Sequence, residues 1–172
     1  MSMALDTRPH AARREPARSH DLKPLCLEAL TLVERLHRRL LDVIKDEFDR
    51  TTPCDVNSVQ ALLLFHIGKS ELAAGELRSR GYYLGSNVSY SLRKLAEMGY
   101  IHHHRASADR RTVHVRLTDK GRVVAAVVNR LYERHIGDID RDGSIAADDF
   151  DTIRHSLQRL ERFLSDQIRY RL

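Results

Sequence analysis

Four groups of side chains in this 172-residue chain have the types and spacing to do chemistry. The first is acidic. In Asp138-x-Asp140-x-Asp142-Gly143, with Asp149 at the twelfth place, carboxylates stand where a calcium loop takes its first, third and fifth ligands, and a glycine stands where it turns. The twelfth ligand is Asp rather than a bidentate Glu, the ninth place is Ala146, and there is no second such loop. An acidic, glycine-containing connection between two helices accounts for the same residues. The second group is His102-His103-His104. Side chains alternate along a strand, so only His102 and His104 share a side, where His114 of a partner strand could join them as metal ligands. A polar strand lying near phosphate accounts for them equally, and no metal is assigned. Third come the thiols. Cys26 has the place of a redox sensor if its thiol is exposed and activated, and the spacing of a small core residue if it is not; Cys54, after Pro53, reads as an exposed loop residue. Fourth, Ser86, Asn87, Ser89, Tyr90, Arg93 and Lys94 crowd into one short segment, and Arg110 and Arg111 follow Asp109 in another. Amides, hydroxyls and cations so placed suit base edges and phosphates. There is no GxSxG, no HExxH and no phosphate-cradling glycine loop, so no enzyme activity and no cofactor is expected.

The elements that carry these groups follow from periodicity. Leu25, Ala29, Leu32, Leu36, Leu40, Ile44 and Phe48 recur at helical spacing, with Arg35, Arg38 and Arg39 marking the wet side. Asn57 and Gln60 form a capping box ahead of Ala61-Leu62-Leu63-Leu64-Phe65, a run so apolar that its helix must be buried, and Gly68 ends it. A short helix over about 74–80 stops at Gly81, and Ser86 caps the next helix, from Asn87 to Met98, which Gly99 closes. Residues 100–105 and 111–117 then read as two strands of a hairpin, with Val113, Val115 and Leu117 on one face and Thr112, His114 and Arg116 on the other. Thr118 caps a long helix, which breaks over 137–143; a last helix carries Phe150, Ile153, Leu157, Leu160, Leu164 and Ile168.

The fold class predicted is mainly α with a small β-hairpin wing: a winged helix-turn-helix over 57–117, flanked by long dimerisation helices over 21–50 and 118–172. Residues 1–20, with four arginines and two prolines, read as a disordered basic arm. The net charge of +5 suits a polyanionic partner, and two cysteines make no disulfide framework. No apolar run approaches the ~20 residues of a membrane span, so a cytoplasmic location is expected. The helix from Asn87 can enter the major groove of duplex DNA, with Arg110 and Arg111 beside the narrower minor groove. The flanking helices are too long and too apolar for a small monomer. A homodimer would set two reading helices one DNA turn apart on a pseudo-palindrome.

In Leu95-Ala96-Glu97-Met98-Gly99, then Asp109-Arg110-Arg111, then Leu117-Thr118-Asp119-Lys120-Gly121, the stretch from Val56 to Gly121 resembles the MarR family of bacterial regulators. The family pattern has a recognition helix ending Leu-x-x-x-Gly, a wing with Asp-x-Arg and a closing Leu-Thr-x-x-Gly. The resemblance implies that Asp109 orients the wing loop through an ion pair and that Arg110 or Arg111 reaches the minor groove. It also implies that the helix from Asn87 reads the major groove, and that a small aromatic effector or an oxidant controls a repressor. The turn Gly81-Tyr82-Tyr83-Leu84-Gly85 is richer in Gly and Tyr than the family's usual one, which implies a shifted docking angle. The segment 85–90 and Leu160-Glu161-Arg162-Phe163 are similar to the branch that regulates L,D-transpeptidases. Two other readings use the same residues: a winged helix that binds protein instead of DNA, and a regulator modulated by calcium through the Asp138 loop.

Overall fold

The computed structural model describes residues 19–51, 54–68, 72–73, 85–105 and 113–170. The arm up to residue 18, the short helix expected over 74–80, the turn to Leu84, and the wing loop with Asp109, Arg110 and Arg111 lie outside the described residues. Helix α1 spans Ser19–Thr51, with Pro24 in its first turns. Two compact units divide the chain, one up to Leu40 and one from Leu41 onward.

Within the second unit the buried helix forms as its sequence demands. α2 (Ser58–Ile67) starts at Asn57, whose side chain accepts from the Gln60 amide at 2.9 Å while the Gln60 side chain accepts from the Asn57 amide at 3.1 Å. Gly68 ends it at φ 65°. Gln60, Ala61, Leu62, Leu63, Leu64 and Ile67 are buried, so this helix is the centre of the core. Its main neighbour is α4 (Asp119–Asp142), which brings Val124, Val127, Val128 and Leu131. Phe65 meets Tyr132 edge to face at 5.1 Å.

A three-stranded antiparallel sheet closes one side. β2 (Ile101–Arg105) pairs with β3 (Val113–Leu117), and β3 pairs on its other edge with β1 (Leu72–Ala73), giving the order β1-β3-β2. The periodicity that reveals the hairpin says nothing of β1, because two residues are too few to show alternation. Between β1 and β2 comes α3 (Gly85–Glu97), which begins two residues earlier than its sequence predicts, so Ser86 lies in its first turn rather than capping it.

α4 departs more instructively. The helix does not break at Gly137; it continues to Asp142 and ends at Gly143 in the left-handed region, φ 67°. A glycine inside a helix costs about 1 kcal/mol, which tertiary and local contacts override. Here Arg141 pairs with Asp138 and donates from Nε to the Gly137 carbonyl at 3.2 Å, bridging the weak turn. The residues that could have made a calcium loop are therefore helical. Asp138 and Asp142 lie one turn apart on one side of a helix and Asp140 on the other, and Asp149 instead accepts from the Ala146 amide at 2.9 Å to start α5 (Ala147–Arg169). No group of three His, Cys, Asp or Glu side chains gathers among the described residues.

An ion pair between a buried carboxylate and a half-exposed guanidinium fastens the end of α1 to α4. The Glu47 side chain is 6 % exposed and accepts from Arg134 at 2.6 Å, with Arg50 at 3.6 Å. The hydrogen bond from Arg134 holds the Glu47 carboxyl below its ordinary range against the opposing pull of burial, helped by the charges of Arg134, Arg50 and His135. A carboxyl depressed in the folded state binds its proton better when unfolded. Its stabilisation is thus present above the ordinary value of 4.5 and lost as pH falls through the lowered one. Glu47→Gln is expected to cost about 1–2 kcal/mol at pH 7 and to flatten the acid limb of stability. Thermal denaturation from pH 3 to 7 checks this; an unchanged acid limb would refute the role given to the pair.

Candidate nucleic-acid interface

The reading head is built by locking α3 to the base of the hairpin. α3 buries Leu92 and Leu95, which leaves Ser89, Tyr90, Arg93, Lys94 and Glu97 on its exposed side. At its end, Gly99 takes φ 75°. The Tyr100 amide donates back to the Leu95 carbonyl at 2.9 Å and the Gly99 amide to that of Ala96 at 3.0 Å, the Schellman arrangement. The remaining carbonyls of this turn are taken by the start of α4. The Thr118 hydroxyl donates to Gly99 at 2.7 Å, the Thr118 amide to Tyr100 at 3.0 Å, and Lys120 Nζ to Met98 at 3.1 Å. Thr118 Oγ1 also accepts from the Gly121 amide at 3.1 Å, and Lys120 Nζ lies 4.1 Å over the Tyr100 ring.

This explains why Leu-x-x-x-Gly and Leu-Thr-x-x-Gly occur together. They are two halves of one joint. Gly121 packs so tightly on the Tyr100 carbonyl that a Cβ there would fall 2.1 Å from the oxygen.

On the exposed side of α3, Tyr90 is 67 % exposed and Lys94 stands 3.7 Å from Glu97. No hydrogen bond or ion pair from the described residues engages Arg93. The backbone places Ser86 and Asn87 in the first turn of the same helix. The backbone thus carries Ser86, Asn87, Ser89, Tyr90, Arg93 and Lys94 on one helix, while Asp109, Arg110 and Arg111 fall in the undescribed loop.

The hairpin pairs His102 with Arg116 and His104 with His114, so these four share the face opposite the buried Ile101, Val115 and Leu117. The alternation expected for the histidines holds. Sequence reasoning missed the Lys120 and Thr118 contacts, for which only the family motif gave a signal. Cys26 is exposed on α1, and Cys54 is half-buried rather than exposed, its thiol 3.9 Å from the Val56 carbonyl.

A family model described as a winged helix DNA-binding domain matches residues 56–121. In fold, the chain is similar to a MarR-family regulator from Listeria monocytogenes solved with a 26mer DNA. The TM-score is 0.67 at 14 % identity, over 80 % of this chain and 89 % of that one. It is also similar to FabT from Streptococcus pneumoniae, solved in complex with DNA: TM-score 0.62, 21 % identity, over 82 % and 98 % of the two chains. The exopolysaccharide II synthesis transcriptional activator ExpG of Rhizobium meliloti is 34 % identical over 146 residues, which is 83 % of this chain and 73 % of that protein. The chain belongs to the MarR-like family of winged helix-turn-helix transcription regulators.

For this MarR-like regulator, α2, α3 and the β2–β3 hairpin lie in the DNA-binding domain, and the joint at Gly99, Tyr100, Thr118 and Gly121 ties α3 to the base of the hairpin. No helix among the described residues is long and apolar enough to cross a membrane.

Proposed function

We propose that the regulator works as a cytoplasmic homodimer on a pseudo-palindromic operator, each protomer setting α3 in the major groove and its wing against the minor groove. The observation that carries the DNA contact is the exposed polar and cationic side of α3, held rigidly to the hairpin by the Thr118 joint. Ser86, Asn87, Ser89, Tyr90, Arg93 and Lys94 would contact bases and phosphates, and Arg110 and Arg111, oriented by Asp109, the minor groove.

Support for the dimer comes from apolar surface left uncovered in the single chain. Leu22, Leu25, Leu32 and Leu36 are exposed on α1, and Phe150, Ile153, Leu157, Phe163, Leu164 and Ile168 on α5, which buries none of its residues. Stripes of this kind at helical spacing are what a two-fold partner covers.

Bound over a promoter, such a dimer represses by occlusion. Because the Rhizobium meliloti relative is a transcriptional activator, activation from an upstream site is the second reading. That relative serves exopolysaccharide synthesis, and the resemblance at 85–90 and 160–163 points to L,D-transpeptidase control, so genes for cell-surface polymers are the proposed targets.

For a small aromatic effector, the described residues offer a cleft of about 500 Å³ between α2 and α4. Phe65, Leu117, Ala125 and Ala126 supply apolar wall, and Arg122, Asn129 and Arg130 polar groups.

Selection of genomic fragments by the purified protein, followed by gel shifts across a salt series, tests the whole reading. An enriched inverted repeat, with affinity falling about 10³-fold or more between 50 and 200 mM salt, is expected. No enriched sequence, or binding indifferent to salt, would overturn it.

A further inference from the structure

The carbonyls at the end of α3 are taken up in three different ways. Those of Lys94, Leu95 and Ala96 accept from amides of the same turn, the amides of Met98, Tyr100 and Gly99. Those of Gly99 and Tyr100 accept from Thr118. The Met98 carbonyl alone of these accepts from a long cationic side chain, the ammonium of Lys120 at 3.1 Å.

Lys120 is the second residue of α4. A helix start favours anions and a helix end favours cations, so this ammonium stands at the wrong end of its own helix and at the right end of α3. Asp119 beside it pairs with Arg122, and among the described residues no carboxylate pairs with Lys120. Its partners are the Met98 carbonyl and the face of the Tyr100 ring, 4.1 Å away. Tyr100 is buried, so the ring is a fixed platform, and the Met98 backbone is continuous with α3. The ammonium therefore ties the end of α3 to the first turn of α4 across two contacts that each have a direction.

We propose that Lys120 is a positioning residue for DNA reading: by holding the Met98 carbonyl against the Tyr100 ring it sets the angle of α3, and with it the preference for the operator over other DNA. It rests on the DNA-binding reading given above. Leu92 and Leu95 hold one face of α3 to the core, but apolar burial is non-directional and tolerates small rotations. Base edges do not tolerate them, because paired hydrogen bonds to a base demand a fixed geometry. Attraction to phosphates survives a small tilt and carries no sequence information. A loosened α3 thus loses choice before it loses affinity. Lys120 is itself exposed and lines a cleft with His102, Arg116 and Arg122, so a direct phosphate contact is the competing role, and salt dependence separates the two.

The test is fluorescence anisotropy of the selected operator and of a random duplex, each across a salt series, on wild type, Lys120→Met, Lys120→Arg and Arg116→Met. Melts followed by circular dichroism accompany each variant, and Lys120→Met is expected to stay folded because the side chain is exposed. Lys120→Met should weaken the operator on the order of tenfold, change random DNA by less than about twofold and leave the salt slope as it was. Lys120→Arg, which restores a cationic donor, should recover most of the preference. Arg116→Met removes a cation from the same cleft without removing either contact of Lys120, so its ratio of operator to random affinity should stay within about twofold of wild type. An unchanged ratio in Lys120→Met would overturn the proposal. So would equal weakening of both DNAs with a slope smaller by about 0.9 per protomer, which would make Lys120 a phosphate contact. A ratio lowered as much by Arg116→Met would overturn it too, by tracing the effect to the charge of the cleft. Wild type without preference for any sequence would sink the DNA reading and this role with it.

Discussion

Gly121→Ala is expected to destabilise the protein by about 3 kcal/mol, lowering Tm by about 6–12 °C. The added Cβ would lie 2.1 Å from the Tyr100 carbonyl oxygen, 3.2 Å from its carbon and 3.3 Å from a Leu117 methyl. The first two atoms are backbone and cannot rotate away. Relief requires α4 to back off from the turn that ends α3, which breaks the hydrogen bonds from Thr118 and Lys120 to Gly99, Tyr100 and Met98. The wing and the reading helix would then lose their fixed relation, so DNA affinity should fall further than the loss of folded protein explains.

Gly137→Ala is the matched control. It is also a helical glycine of α4, but nothing lies within 4 Å of the added Cβ. Alanine there should stabilise by about 0.5–1 kcal/mol, because it lowers the entropy of the unfolded chain. Thermal melts of the two variants decide the matter. Equal Tm shifts would mean that the close approach at Gly121 carries no weight.

Elements governed by local rules were legible in the sequence. The capping box at Asn57 and Gln60, the apolar run of α2 and the alternation of β3 each involve residues within one turn or one strand, and each is present as read. What was not legible depends on partners far along the chain. Glu47 and Arg134 are 87 residues apart, and neither lies in a pattern that announces the other. β1 exists only because β3 offers it an edge. Gly137 is a local exception: its cost of about 1 kcal/mol is too small to end the helix, which runs on with Arg141 Nε donating to the Gly137 carbonyl one turn back. The same divide runs through the interface. The polar side of α3 could be read from spacing against Leu92 and Leu95, but the joint holding that side in place is a set of backbone carbonyls, which every residue has and no sequence displays.

Arg93→Ala carries the largest expected effect on DNA binding. Spacing puts Arg93 one helical turn after Ser89 and Tyr90, on the side opposite Leu92 and Leu95, both essentially buried. Lys94 shares its charge with Glu97, and among the described residues no carboxylate pairs with Arg93, which makes Arg93 the α3 cation to test first. A guanidinium that pairs with a guanine edge gives about 1–3 kcal/mol of discrimination. In the proposed two-fold dimer it would occur twice on each operator, so one substitution would remove about 2–6 kcal/mol, roughly 30-fold to 10⁴-fold in affinity. The salt series separates two roles for the residue. If Arg93 reads bases, Arg93→Ala weakens the operator far more than random DNA and leaves the salt slope unchanged. If it holds phosphate, both DNAs weaken together and the slope shrinks by about 0.9 per protomer. Affinity within a factor of about two of wild type on both DNAs would mean that α3 does not present this face to the duplex, and the reading helix would have to be sought elsewhere.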